Sequence, residues 1–217
     1  MSEHKERPML FSGAMVRAVL AGTKTQTRRI VESRSRLHPE LVILDYGKGD
    51  WPYLSDDGES EICNDSMEYP MPCPHGVAGD HLYVRETWGY HPDYPETTRR
   101  VCYRADLGHQ YDGIRWRPSI HMPHWASRIT LEVTGVRVER LQDINAKDIM
   151  AEGAVARAHD DQFGHNPVSA FDGKVYLDLR SLWAFGWDSI NAKRAPWASN
   201  PYVWVVEFRR IDRELEA

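Results

Sequence analysis

Cysteine is scarce in this chain of 217 residues: Cys63, Cys73 and Cys102 are the whole set. So few thiols argue against a disulfide-stapled scaffold and agree with a reducing compartment. None stands in a Cys-x-x-Cys pair, and Cys63, Cys73 and His75 would still need a fourth zinc ligand from elsewhere. The reading is therefore no metal and no cofactor. Long apolar runs are also missing, well short of the roughly 20 residues a membrane helix needs. The opening residues, Met1 to Phe11, lack the apolar core and small-residue cleavage site of a secretion signal. Together these absences predict a cytoplasmic protein without a membrane partner. No glycine-rich phosphate loop, βαβ alternation, internal repeat or low-complexity tract occurs, which leaves dinucleotide and nucleoside-triphosphate sites without their phosphate cradle. Ser119, His121 and an aspartate make a triad on paper, but no nucleophile-elbow sequence surrounds them.

What the chain does have is core-forming material. Hydrophobic residues make up 41 % and charged residues 27 %, with 8 Trp and 10 Tyr, enough to fold as a globule. The net charge of -5 excludes nucleic-acid binding through bulk positive charge. Its distribution is uneven. Lys5, Arg7, Arg17, Lys24, Arg28, Arg29, Arg34 and Arg36 outnumber Glu3, Glu6 and Glu32 in the opening stretch, and from Glu40 to Glu68 the sign reverses. Such asymmetry leaves room for an anionic ligand at one localised site.

Periodicity predicts a strand at Pro8 to Phe11, a helix from Ala14 to Ala21 capped by Ser12 and stopped by Gly22, and a strand in the second half of Thr23 to Val31. Further strands are expected at His81 to Glu86, Val101 to Arg104, Arg128 to Leu141 and Tyr202 to Ile211. In the Arg128 segment the apolar parity shifts across Gly135, as in a bent or bulged strand. Short helices are expected at Ala146 to Glu152, capped by Asn145, and at Leu179 to Ile190. The predicted class is α+β, a single domain over 1–217 around a strongly bent mixed sheet or small barrel. Irregular insertions are expected near 35–76, 89–120 and 155–178.

One local pattern stands out: Gly22, Lys24, Thr27 and Arg29, a helix-ending turn followed by a strand. A strand period of two puts Thr25, Thr27 and Arg29 on one face. By spacing alone, a solvated basic turn is the favoured reading. A second pattern runs from Arg115 to Arg128, where Arg115, Arg117, His121 and Arg128 interleave with Trp116 and Trp125. Interleaving of this kind suits phosphate contact with base stacking; its plainer explanation is a loop that packs its tryptophans while the arginines stay solvated.

With Gly79-Asp80 ahead of a strand, Arg128 to Leu141 leading into Ala151-Glu152-Gly153, and the aromatic strand Tyr202 to Ile211, these motifs resemble the ASCH family of the PUA-like superfamily. The resemblance is closest to the longer phage and prophage members carrying Val84-Arg-Glu-Thr-Trp88 and Pro118-Ser-Ile-His-Met-Pro123. It implies a PUA-like small β-barrel with flanking helices and a cleft where Lys24, Thr27 and Glu152 converge. It also implies a nucleoside or RNA ligand. One bacterial group of the family hydrolyses the N4-acyl amide of cytidine with a Thr, Lys and Glu that match Thr27, Lys24 and Glu152.

That chemistry is coherent: a threonine hydroxyl needs a base to become nucleophilic, and a desolvated lysine can serve. Glu152 would orient the lysine or protonate the departing amine; alternatively, Lys24 and Glu152 form a bracing ion pair. Arg29, Glu86, Ser119, His121 and Arg128 are the expected substrate-binding residues, with Glu86 either accepting from a nucleobase edge or pairing with Arg85 or Arg104. Two further readings stand beside this amidohydrolase. One is a noncatalytic RNA-binding module using Arg29, Arg115, Arg117 and Arg128 on phosphates. The other is a metal-independent ribonuclease using Lys24 with His121.

Overall fold

The structure is a computed structural model that describes residues 4–32, 41–45, 50–54, 69–70, 72–107, 113–154, 168–169, 175–176 and 178–211. Its strands are β1 (Glu6–Leu10), β2 (Gln26–Ile30), β3 (Leu41–Asp45), β4 (Asp50–Leu54), β5 (Tyr69–Pro70), β6 (His81–Arg85), β7 (Trp88–Tyr90), β8 (Val101–Tyr103), β9 (Thr130–Arg140), β10 (Val168–Ser169), β11 (Val175–Tyr176) and β12 (Tyr202–Ile211). Its helices are α1 (Gly13–Leu20), α2 (Arg104–Leu107), α3 (Ala146–Ala151) and α4 (Leu179–Asn191).

Helix α1 begins where the Ser12 hydroxyl accepts from the Met15 N–H, and it buries Val16 and Val19. It stops at Gly22, whose φ of 73° lies in the left-handed region that side chains resist, with its N–H bonded to the Val19 carbonyl. The Thr23 and Lys24 N–H groups both turn back onto the Ala18 carbonyl, so the turn fixes the entry to β2.

The principal sheet has the order β1-β6-β9-β12-β2. β1 runs parallel to β6, from Glu6 opposite His81 to Leu10 opposite Arg85, and β6 runs antiparallel to β9, so the sheet is mixed. The Phe208 N–H bonds the Thr25 carbonyl and the Val31 N–H bonds the Tyr202 carbonyl, the pattern of an antiparallel β12 and β2. The expected α+β class with a mixed sheet is what forms. Among the described residues, no β1 to β2 pairing closes this sheet into a cylinder. Along β9, Leu131 and Val133 are buried on odd positions and Val138 on an even one, the shift of parity read at Gly135.

Two compact units can be distinguished. The first comprises residues 1–25, 75–135 and 207–217; the second comprises 26–74 and 136–206. In the first unit, Trp88, Met122 and Ala126 are buried with Tyr90, Val101 and Tyr103 packed against them. In the second, Leu141, Trp187, Val203 and Val205 form a core lined by Ile30, Trp183 and Trp197.

The expected irregular insertions carry more pairing than their composition suggests. Near 35–76, β3, β4 and β5 form a three-stranded antiparallel sheet, with Leu41 opposite Leu54 and Tyr53 opposite Pro70. Near 89–120, β7 and β8 pair antiparallel, with Trp88 opposite Tyr103. Near 155–178, β10 and β11 form a two-residue ladder. The side chains of the acidic stretch, Cys63, and most of the segment from Asp160 to Lys174 lie outside the described residues. Among the described residues, no helix is long and apolar enough to cross a membrane.

Candidate functional site

The Gly22 to Arg29 motif straddles the two units: Lys24 falls in the first, Thr27 and Arg29 in the second. Lys24 is only 3 % exposed, and its ammonium lies 5.5 Å from the centroid of the Phe11 ring. Phe11 in turn meets Phe208 at 6.0 Å. The solvated basic turn is therefore not what forms at Lys24, whose side chain is withdrawn from water beside the Phe11 ring. Thr27, on β2, is 1 % exposed.

Glu152 closes α3 as its C-terminal cap, and its side chain is 2 % exposed. Its Oε1 accepts from Arg28, whose side chain is 0 % exposed. The same guanidinium bonds Asp148 Oδ2 at 3.1 Å and Glu139 Oε1 through both Nε and Nη2. Arg137 closes the ring, donating to Glu139 at 3.0 Å and Asp148 at 3.4 Å. Three carboxylates thus face two guanidinium groups. Half-buried Arg29 adds a third positive charge: burial pulls its guanidinium below the ordinary range, and the Glu152 charge opposes that.

The local sequence explains this hub. Asp148 and Glu152 are four apart, hence on one face of α3, and the Gln26 side chain donates to the Asp148 carbonyl from the strand position that shares a face with Arg28. Asn145 fixes the helix start by accepting from the Asp148 N–H while its own amide donates to Asp148 Oδ2. Arg28 is the residue sequence reasoning missed. The i,i+4 carboxylates and the Gln-x-Arg alternation were signals for it.

A second arginine hub lies in the first unit. Arg128 grips Glu86 with two bonds, Nε to Oε1 at 2.9 Å and Nη2 to Oε2 at 3.2 Å, and grips Asp106 with two more at 2.6 and 2.8 Å. Its guanidinium stacks 4.0 Å from the centroid of Tyr103, whose hydroxyl donates to the Ala126 carbonyl. Burial pushes the Glu86 carboxyl up, against the downward pull of Arg128, and burial also pushes the Tyr103 phenol up. The two carboxylates hold Arg128 more firmly charged than usual. Glu86 therefore takes Arg128 as its partner, 42 residues away, in place of Arg85 or Arg104. Arg85 instead donates to the Ile120 carbonyl.

Of the remaining expected residues, Ser119 is half-buried at the start of a one-turn helix and His121 is exposed at its end. Arg115 is exposed, and Arg117 donates to Glu96 at 3.0 Å. Among the described residues, no group of three or more His, Cys, Asp or Glu is placed to hold a metal ion. No protein-family model, curated protein or solved structure matches this chain.

Proposed function

We propose that this chain is an ASCH-like protein of the PUA-like superfamily that takes a modified nucleoside or RNA as ligand and hydrolyses the N4-acyl amide of cytidine. The observation that carries this reading is the withdrawal from water of Lys24 and Thr27, three residues apart in the Gly-x-Lys-x-x-Thr-x-Arg motif. Burial of a lysine amine favours the neutral form able to accept a proton, whereas a nearby carboxylate favours the charged form, and the proposed reaction needs the first effect to win. In the proposed reaction Thr27 Oγ attacks the acyl carbon and Lys24 takes the hydroxyl proton. The amide C–N bond then breaks, the cytidine amine leaves with a proton returned from Lys24, and water hydrolyses the threonyl ester to a carboxylate.

Glu152 enters this reading as a positioning residue. Its Oε1 is engaged by Arg28, which suits a fixed negative charge better than a proton donor. The bent sheet expected of a PUA-like barrel belongs to the same proposal. Chromatography of N4-acetylcytidine with folded wild type, Thr27→Ala and Lys24→Ala tests it. Conversion to cytidine by wild type and loss in both variants is the expected result; wild-type turnover in folded Lys24→Ala defeats the mechanism.

A further inference from the structure

The most unusual surface of the first unit is built from rings and guanidinium groups that the deacylation reading leaves unused. The Tyr90 and Trp125 rings lie within 29° of parallel with centroids 6.5 Å apart. Trp88 stands across both, at 67° and 5.2 Å to Tyr90 and at 86° and 6.0 Å to Trp125. Trp88 is buried and its indole N–H has no acceptor among the described residues, whereas Trp125 is left 37 % exposed. A large ring held in water beside two others is costly unless something covers it.

The cations around these rings repeat one arrangement. Arg117 lies 4.7 Å from the Tyr90 centroid and 5.4 Å from that of Trp88; its backbone is bridged to Trp88 and its guanidinium also donates to Glu96 at 3.0 Å, a surface pair that a phosphate would replace. Arg99 lies 5.2 Å from the Trp125 centroid and Arg100 lies 4.1 Å from that of Tyr94. Arg99 also holds a φ of 52°, a left-handed conformation uncommon outside glycine, at the residue that lays its guanidinium on the exposed tryptophan. Rings that carry guanidinium groups on their faces, beside the exposed Arg99 and Arg100 and the half-buried Arg117, supply base stacking and phosphate contact together once a base displaces a guanidinium.

We infer that Tyr90, Trp125, Arg99 and Arg117 form a stacking platform for single-stranded RNA, with a base taking the place of a guanidinium on a ring and the displaced arginine moving to a phosphate. The inference rests on the reading of the ligand as RNA-related and adds where and in what form RNA is held. A duplex hides its base faces, so it cannot use the rings.

The test is fluorescence anisotropy of a fluorescein-labelled oligouridylate with wild type, Trp125→Ala, Trp125→Phe and Arg99→Ala, each shown by circular dichroism to be folded. The platform predicts that Trp125→Ala raises Kd about ten-fold or more and that Trp125→Phe recovers most of the loss. Arg99→Ala should weaken binding and reduce the slope of log K against log salt by about one phosphate contact. An RNA duplex of equal length should bind at least about ten-fold more weakly than the single strand. If wild type binds the single strand and Trp125→Ala binds as tightly, the platform is wrong while the RNA reading stands. If wild type binds no oligouridylate, or binds the deoxy strand or the duplex more tightly than single-stranded RNA, the assignment of this surface to single-stranded RNA falls. N4-acetylcytidine turnover, measured separately, is indifferent to all of these outcomes.

Discussion

The two arginine hubs use the same chemistry in different surroundings. Arg28, in the second unit, is wholly out of water and answers three carboxylates, whereas Arg128, in the first, is 24 % exposed and answers two, one of them at the surface. Desolvating ions is expensive, so a buried pair adds little net stability but is costly to break. The difference teaches where each hub's free energy lies. At Arg28, no partner can be removed without stranding charge among the rest, which makes the hub a rigid anchor joining β2, β9 and α3. At Arg128, Asp106 can turn to solvent, and Glu86 has a carboxyl already displaced by burial toward its neutral form.

The sharpest way to break this comparison is to delete each guanidinium in turn. Arg28→Met should cost about 3–5 kcal/mol because it leaves Glu139, Asp148 and Glu152 uncompensated. Urea denaturation followed by circular dichroism reads the loss directly. A cost for Arg28→Met no larger than that for Arg128→Met would mean that the difference in burial has no energetic weight.

Arg128→Met should cost less, about 1–3 kcal/mol, the range for one buried polar group left without its partner. Its penalty should also depend on pH. The folded-state pKa of Glu86 is raised above the ordinary 4.5, so protonation favours the folded form. The contribution is complete below the unfolded pKa and is lost as pH rises through the folded one. Removing Arg128 raises the folded pKa further. The deficit of the variant should therefore be larger at neutral pH than at acid pH, where Glu86 protonates; a deficit that grows on acidification would contradict the Glu86 assignment.

A smaller effect is expected outside both hubs. Asp178 caps α4 by accepting from the Ser181 N–H and hydroxyl, which holds its carboxyl below the usual range. Asp178→Ala should cost about 1 kcal/mol, with the opposite pH sign to Glu86. The capping contribution is present above the ordinary 3.8 and fades as pH falls through the lowered folded-state value. Denaturation curves at neutral and acid pH distinguish the two signs.

Local pattern revealed the elements better than it revealed the hubs. The sequence reading of Tyr202 to Ile211 as one strand agrees with β12 at both ends, because an aromatic and β-branched run has few alternatives. The stop at Gly22 and the parity shift across Gly135 are likewise local properties, and both appear in the structure. β3 to β5 were hidden because Leu41 to Leu44 is one short apolar run among acidic and glycine residues, without the alternation that marks a half-buried strand. The hubs were hidden by separation: Arg28 meets Glu139 across 111 residues and Glu152 across 124. Glu86 and Arg128 were each singled out in the sequence, but nothing local could pair them. Conversely, the burial of Lys24 was not legible, since the Phe11 ring that covers it comes from before α1.

The most direct test of the central claim is the single-turnover rate of N4-acetylcytidine hydrolysis by wild type, Thr27→Ala, Lys24→Ala and Glu152→Gln, all verified as folded. The account predicts conversion to cytidine by wild type, none above background with Thr27→Ala or Lys24→Ala, and a reduced but measurable rate with Glu152→Gln, as befits a positioning residue. Hydrolysis by Thr27→Ala at the wild-type rate, or no hydrolysis by folded wild type, would contradict it.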